Sequence, residues 1–155
     1  MKPNISPNQH GFVKGRNTVS NLLEYKNFIC CSFARQGQVD SIYTDFSKAF
    51  DRVNHKLLCR KLHQYGIHGS LLRWISSYLS NRSQLVAVKG FLSQPVRVTS
   101  GVPQGSHLGP LLFILFINDL VDRLENPCLL YADDLKFFKE IKCIDHCASL
   151  QRDIR

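Results

Sequence analysis

The sequence predicts an α+β fold, in which helices alternate with a few antiparallel strands. Three observations carry this prediction. Apolar residues recur at helical spacing after Asn17, polar and apolar residues alternate over 84–88 and again over 95–99, and the apolar run LLFILFI begins at Leu111. The chain has 155 residues, enough for one domain with its own core. We therefore predict a single domain over residues 1–155.

The first half of the chain predicts a helix, a strand and a second helix. Asn17 is a good N-cap residue, and the helix that it begins is ended by Gly37. A strand follows over about residues 39–46. Asn54 caps the second helix, which Gly66 closes. These signals are local in the sequence and give the order of the elements.

The second half predicts a third helix capped by Ser70, a hairpin turning at Lys89-Gly90, a strongly apolar helix, two short strands and a final helix. The third helix is expected over 70–79, the hairpin over 84–99 and the apolar helix over 110–124. The two short strands are expected on either side of 132–134, and the final helix from about Asp145 onward. We expect the apolar helix to be core.

The positive charge of the chain is concentrated in one stretch. The net charge is +8, and no Asp or Glu occurs between Arg52 and Asn118. That stretch contains Arg52, Lys56, Arg60, Lys61, Arg73, Arg82, Lys89 and Arg97. Such a distribution is typical of a surface that faces a phosphate backbone, although a solvated basic face would give the same count.

The cysteines and the apolar segments indicate the cellular compartment in which the protein is expected. The six cysteines are irregularly spaced and lie mostly in apolar segments, so we expect buried free thiols. Cys143, His146 and Cys147 lack a second ligand pair, which favours a helix start over a zinc site. The longest apolar run is shorter than a bilayer span, and no signal peptide is visible. We expect an intracellular protein, nuclear or cytoplasmic, that is not secreted or membrane-bound.

Two adjacent aspartates stand between apolar runs in LLYADDLKFF, residues 129–138. Asp133 and Asp134 are expected at the turn of a hairpin, and Asp45 at the end of a separate apolar strand. If these strands are neighbours in one sheet, three carboxylates converge, and such a cluster needs a divalent cation. The motif alone is weak evidence, because adjacent acids also form ordinary polar turns.

Four segments, in order, resemble the reverse transcriptases of non-LTR retrotransposons, most closely the jockey-type elements of insects. They are QHGFVKGR at 9–16, TDFSKAFDRVNH at 44–55, SGVPQGSHLGPLLFILFINDL at 100–120 and YADDLKFF at 131–138. The resemblance covers almost the whole chain. It implies the palm of a right-hand polymerase, a ferredoxin-like antiparallel sheet packed on helices, with fingers and thumb incomplete.

The resemblance also implies the roles of individual residues. Asp45, Asp133 and Asp134 match the catalytic aspartates, which bind two Mg²⁺ ions, with Mn²⁺ as a substitute. The implied nucleotide-binding residues are Phe46, Ala49, Phe50, Gln104 and Gly105, and Tyr131 is implied to lie near the primer end.

Two of these implied roles have structural alternatives. The Phe50 ring would collide with the 2′-hydroxyl of a ribonucleotide, but it could also be plain core. Gln104-Gly105 could be an ordinary turn. Arg16, in the first matching segment, is expected to support the fold and not to touch substrate.

The function implied is RNA-directed DNA synthesis, with an RNA template, a DNA primer and deoxynucleoside triphosphates as partners. The alternative is an inactive retroelement remnant that binds nucleic acid weakly and without sequence preference. A two-metal nuclease is disfavoured, because Phe50 and Gln104 would have no purpose in it. Since the family's fingers and thumb segments are not seen in the sequence, we expect this chain by itself to extend a primer negligibly.

Overall fold

The computed structural model describes residues 5–154. The helices are α1 (Thr18–Ala34), α2 (His55–Gln64), α3 (Gly69–Leu79), α4 (Leu108–Ile117) and α5 (Ile144–Ile154). The strands are β1 (Gln38–Thr44), β2 (Arg82–Gln84), β3 (Ala87–Val88), β4 (Phe91–Leu92), β5 (Val96–Val98), β6 (Cys128–Tyr131) and β7 (Asp134–Ile141). All pairings between these strands are antiparallel, so the predicted mixture of helices and antiparallel strands is confirmed.

The described residues form two compact units. We call residues 5–47 and 117–154 the sheet unit, and residues 48–116 the basic unit. The predicted single palm domain over residues 1–155 stays a prediction.

The sheet unit is built on three strands in the order β1-β7-β6. Successive side chains of β7 point to opposite faces, so each face has its own helix. On one face Phe137 and Leu135 form a core with Leu150 of α5. On the other face Phe138 contacts Tyr25 of α1, with ring centroids 5.0 Å apart. The β7 strand is therefore covered on both sides, which explains its run of buried residues.

The basic unit combines helices with a ribbon of short strands. The Asn54 side chain caps α2 by accepting the Leu57 N–H at 3.0 Å, and α2 and α3 pack together through buried leucines. The predicted hairpin is present as two short ladders, β2–β5 and β3–β4. Lys89 and Gly90 have φ angles of +49° and +85°, as a two-residue turn with two left-handed residues requires.

Three expectations are corrected by the structure. The apolar helix, expected over 110–124, ends at Ile117, and Asn118–Arg123 continue as a 3₁₀ helix. The Asn118 side chain in that 3₁₀ helix accepts the backbone N–H of Ser6 at 2.8 Å. Ser70 is not the cap of α3, which begins at Gly69 after His68 with no side-chain capping bond.

The third correction concerns the cysteines, of which only Cys128 is buried, and burial raises the pKa of its thiol. The other five are exposed or half-buried. Among the described residues, no helix is both long and apolar enough to cross a membrane.

Candidate active site

Two of the three predicted aspartates meet at one end of the sheet. The last pair of the β1–β7 ladder is Thr44 with Leu135, so Asp45 directly follows the end of β1 and Asp134 directly precedes Leu135 at the start of β7. Both carboxylates are exposed, and both line an open pocket of about 460 Å³ together with Tyr131 and Lys136. Two carboxylates that line one pocket repel each other. This end of the sheet therefore concentrates negative charge.

Asp133 lies in the turn between β6 and β7, as predicted, and is half-buried. The preceding residue, Ala132, has φ +56°, a left-handed conformation that is uncommon for a residue with a Cβ. Within residues 5–154, no three His, Cys, Asp or Glu side chains lie close enough together to hold a metal ion. The structure thus brings Asp45 and Asp134 together, and the inclusion of Asp133 in a metal site stays a prediction.

The Gln9 side chain holds this turn in place. Its Oε1 atom accepts the Ala132 N–H at 2.9 Å and the Gly11 N–H at 2.8 Å, and its Nε2 donates to the Ala132 carbonyl at 3.2 Å. Gln9 is 3% exposed, so these bonds are shielded from water. Sequence reasoning gave Gln9 no role, because the contact spans 123 residues.

The segment around Gln9 also approaches the turn with its backbone. Gln9 and Leu130 form a parallel bridge, and the His10 N–H donates to the Leu130 carbonyl at 2.9 Å. A Cβ on Gly11 would lie only 2.9 Å from the Ala132 Cα and closer still to its nitrogen. Glycine at position 11 therefore permits a contact that any other residue would obstruct.

Lys136 is a buried cation next to the aspartates. It lies two residues after Asp134 on the same face of β7 and is 7% exposed. Its Nζ lies 4.2 Å from the ring centroid of Tyr25 and 5.5 Å from that of Tyr43, and donates to Asn21 Oδ1 at 3.3 Å. Burial lowers the pKa of Lys136. Sequence reasoning did not single it out, although a lysine inside an apolar strand was a visible signal.

In the basic unit, Phe50 is held by a second aromatic ring. It stacks on Phe113 of α4 with centroids 4.3 Å apart and planes 21° from parallel. Phe50 itself is half-buried. The packing fixes its orientation while part of the ring stays accessible, which is compatible with both predicted roles.

The glycine-rich loop before α4 is fastened to the segment that follows Phe50. Gln104 Nε2 donates to Asp51 Oδ1 at 2.8 Å, and the Val102 N–H donates to the Phe50 carbonyl at 2.9 Å. A Cβ on Gly101 would lie 2.8 Å from the Asp51 Cα, so this approach requires glycine. Phe50 and the Gln104 loop are therefore brought together within the basic unit.

The remaining predicted residues are placed as follows. Phe46 is exposed and belongs to the sheet unit, whereas Ala49 and Gly105 belong to the basic unit.

Arg16 donates to the backbone carbonyls of Ser6, Pro7 and Gln9. Its predicted role in supporting the fold is thereby confirmed, since these bonds order the segment that carries the Gln9 side chain.

The model of a protein family described as reverse transcriptase (RNA-dependent DNA polymerase) matches residues 1–153. The chain belongs to the reverse transcriptase family. The match includes both units, with the aspartate turn of the one and the Gln104 loop of the other.

Curated relatives confirm the expected resemblance to non-LTR reverse transcriptases. The chain is 31% identical over 158 residues to the probable RNA-directed DNA polymerase from transposon BS of Drosophila melanogaster, covering 93% of this chain and 17% of that relative. It is 31% identical over 144 residues to the RNA-directed DNA polymerase from mobile element jockey of Drosophila funebris, covering 88% of this chain and 16% of that relative. The chain therefore spans less than a fifth of these two relatives.

A solved structure agrees with the reverse transcriptase fold. The apo telomerase from Candida tropicalis, truncated from its C-terminal domain, matches with a TM-score of 0.64 and 17% sequence identity. The match covers 95% of this chain and 32% of that one. At this identity the likeness concerns the fold alone.

Proposed function

We propose that this chain is the catalytic core of an RNA-directed DNA polymerase, which adds deoxynucleotides to a primer 3′ end on an RNA template. The observation that carries the proposal is the meeting of Asp45 and Asp134 at one end of the sheet, beside the turn that holds Asp133. We further propose that the sheet and its helices are a ferredoxin-like polymerase palm.

The donor set fits divalent cations. Asp45 and Asp134 are exposed, carry like charge and line one pocket, and this arrangement becomes favourable when a cation binds there. Carboxylate oxygens open to water suit Mg²⁺, with Mn²⁺ as a substitute. Asp133 completes the proposed ligand set for two ions. Such ions, when bound, would activate the attacking primer hydroxyl and stabilise the leaving pyrophosphate.

The protein's own residues would hold the reactants. Tyr131 lines the same pocket as Asp45 and Asp134, which fits the proposed position near the primer end. The backbone amides around Phe46 and Ala49 are proposed to donate to the triphosphate. Holding the reactants in this way can lower the activation free energy of nucleotide transfer by about 7–11 kcal/mol.

Discrimination against ribonucleotides is assigned to Phe50. Its stack on Phe113 would prevent the ring from swinging away from a 2′-hydroxyl. Gln104 and Gly105 are proposed to pack against the nucleotide and the template, with the Gln104 amide oriented by Asp51. Since RNA and deoxynucleotides meet inside cells, an intracellular location in nucleus or cytoplasm follows from the proposal.

The test is primer extension by a chimaera in which residues 5–154 replace the matching segment of the jockey polymerase. We expect Mg²⁺-dependent DNA synthesis on an RNA template, abolished by Asp133→Asn or Asp45→Asn. Phe50→Ala should admit ribonucleotides, whereas Phe50→Tyr should still exclude them. Binding of Mn²⁺, followed by electron paramagnetic resonance, should weaken in the aspartate variants.

A folded chimaera without activity would support the remnant interpretation instead. Unchanged synthesis by Asp133→Asn would refute the assignment of the turn. These two outcomes separate a wrong function from a wrong residue.

A further inference from the structure

The segment around Gln9 has no part in the proposed reaction, although it belongs to one of the four matching segments of the sequence. It lies along the outer edge of β6, where Gln9 and Leu130 form a parallel bridge. The Leu130 N–H donates to the Asn8 carbonyl, and the Leu130 carbonyl accepts the His10 N–H, both at 2.9 Å. The segment therefore follows β6 as far as the turn at the end of that strand.

Side chains fasten this segment to α1. The His10 ring is buried, with Nδ1 at 2.8 Å from Ser20 Oγ and Nε2 at 3.3 Å from a carboxylate oxygen of Glu24. Both of these partners belong to α1. Arg16, just before α1, donates to three backbone carbonyls between residues 6 and 9. These contacts hold the Gln9 segment in place independently of the turn.

The turn between β6 and β7 has a conformation that alanine disfavours. The ladder ends with the pair Tyr131 and Asp134, so Ala132 and Asp133 are the two central residues of a hairpin turn. Ala132, the first of them, has φ +56°, and two-residue turns of this kind prefer glycine at that position. A Cβ in the left-handed region costs free energy, which surrounding contacts must offset. The turn therefore depends on contacts from outside.

The Gln9 amide supplies such contacts to the peptide groups on both sides of Ala132. Its Oε1 accepts the N–H of the peptide that joins Tyr131 to Ala132, and its Nε2 donates to the carbonyl of the peptide that joins Ala132 to Asp133. Peptide groups are planar, so a bond to the N–H or the carbonyl fixes the orientation of the whole group. The second group ends at the Cα atom of Asp133. The Gln9 amide therefore sets the direction in which Asp133 leaves the turn.

We propose that Gln9 is a positioning residue for the divalent-cation site and sets its metal affinity through the two peptide groups around Ala132. The inference rests on the proposed function, because it takes Asp133 as a metal ligand together with Asp45 and Asp134. Gln9 touches no substrate in this arrangement and acts only through the turn. Replacing a residue that orients metal ligands typically weakens metal binding by about 10–100-fold.

The test measures Mn²⁺ binding to the 155-residue chain by electron paramagnetic resonance. Gln9→Met keeps the length of the side chain and removes its amide, so we expect the Mn²⁺ dissociation constant to rise by about 10–100-fold. Gln9→Asn, whose amide stops one methylene short of Ala132, should act in the same direction and keeps the test valid if Gln9→Met does not fold.

Ser149→Ala is the matched control, because it also removes buried hydrogen bonds within the sheet unit. Ser149 Oγ accepts Lys139 Nζ at 2.9 Å and donates to Asn126 Oδ1 at 3.0 Å. Lys139 lies five residues beyond Asp134 along β7, far from the turn. Ser149→Ala should therefore lower stability and leave Mn²⁺ binding unchanged, with thermal melting as the check that each variant is folded.

Hydrogen exchange gives a readout that needs no metal. The Ala132 amide should exchange faster in Gln9→Met, whereas the Leu130 amide, which bonds to Asn8, should keep its protection. Unchanged Mn²⁺ affinity in Gln9→Met would overturn the proposal, and so would equal weakening by Ser149→Ala, because affinity would then follow overall stability. If the unmodified chain bound no Mn²⁺, the proposed metal site itself would be refuted, and this outcome differs from a failure of Gln9 alone.

Discussion

The two units differ in the sign of their charge and in how firmly the charged segments are held. Residues 48–116 contain nine basic residues and one acidic residue, Asp51, and so hold the whole net charge of +8. Their ribbon is exposed, with Phe91 at its turn 81% accessible. The sheet unit has nine basic and eleven acidic residues, a net charge of −2, and its acidic turn is held by buried hydrogen bonds from Gln9. The metal-binding role proposed for the turn needs fixed geometry, whereas an exposed basic surface can attract an anion by its charge alone.

The largest expected difference between the units concerns their phenylalanines. Phe137 of β7 is 1% exposed, so Phe137→Ala should lower the free energy of unfolding by about 3–5 kcal/mol. Phe91→Ala is the matched change on the exposed ribbon and should stay within about 0.5 kcal/mol. Urea denaturation measures both. A large loss from Phe91→Ala would mean that the ribbon is a folded core element.

Next in size is the effect of removing the Gln9 amide. Gln9→Leu leaves the Ala132 N–H, the Ala132 carbonyl and the Gly11 N–H without their partner, at about 1–3 kcal/mol for each group that stays buried. We expect a total near 3 kcal/mol by urea denaturation. The control, Gln64→Leu, alters an exposed residue of α2 and should change stability by less than about 0.5 kcal/mol. If Gln9→Leu were as stable as the unmodified protein, the turn at Ala132 would not depend on the Gln9 hydrogen bonds.

The Gln9 contacts mark the limit of what the sequence could reveal. Caps such as Asn17 and Asn54 were predictable, because each bonds to a backbone N–H three residues away. The Gln9 amide meets Ala132 only after the chain has folded, 123 residues later. The same holds for the end of the apolar helix at Ile117, where the bond from Ser6 to Asn118 is set by tertiary structure.

The candidate site, too, has a part that the sequence could predict and a part that it could not. The sequence predicted Asp45 at the end of an apolar strand and Asp133 and Asp134 at a hairpin turn, and it was only assumed that these strands are neighbours in one sheet. The register between β1 and β7, however, depends on the whole ladder, and it places Asp45 and Asp134 at the same end of the sheet, where they line one pocket. A shift of one residue would reverse the faces, and no local signal in the sequence specifies it.

A smaller loss is expected from Gly11→Ala, which adds a methyl group where the Ala132 backbone lies. Neither backbone can rotate out of the way, so the cost should be about 1–3 kcal/mol. Gly37→Ala is the control: its Cβ would meet side-chain atoms of Glu140 and Ser32, which can move. Thermal unfolding of the two variants should therefore differ. Similar melting temperatures would indicate that the Gln9 segment is able to shift away from the turn.

The smallest effect is expected at Lys136, although it is the most buried cation described here. Two aromatic rings and the Asn21 amide stabilise its ammonium group, while burial opposes the charge and lowers the pKa of Lys136. Replacing a buried ion by an apolar side chain of similar size is often neutral, so Lys136→Met should change the free energy of unfolding by less than about 1 kcal/mol. Lys56→Met, on the exposed face of α2 in the basic unit, gives the reference for a surface lysine. A loss of about 3 kcal/mol or more from Lys136→Met alone would show that the ammonium group holds the sheet unit together and balances the charge of Asp45 and Asp134.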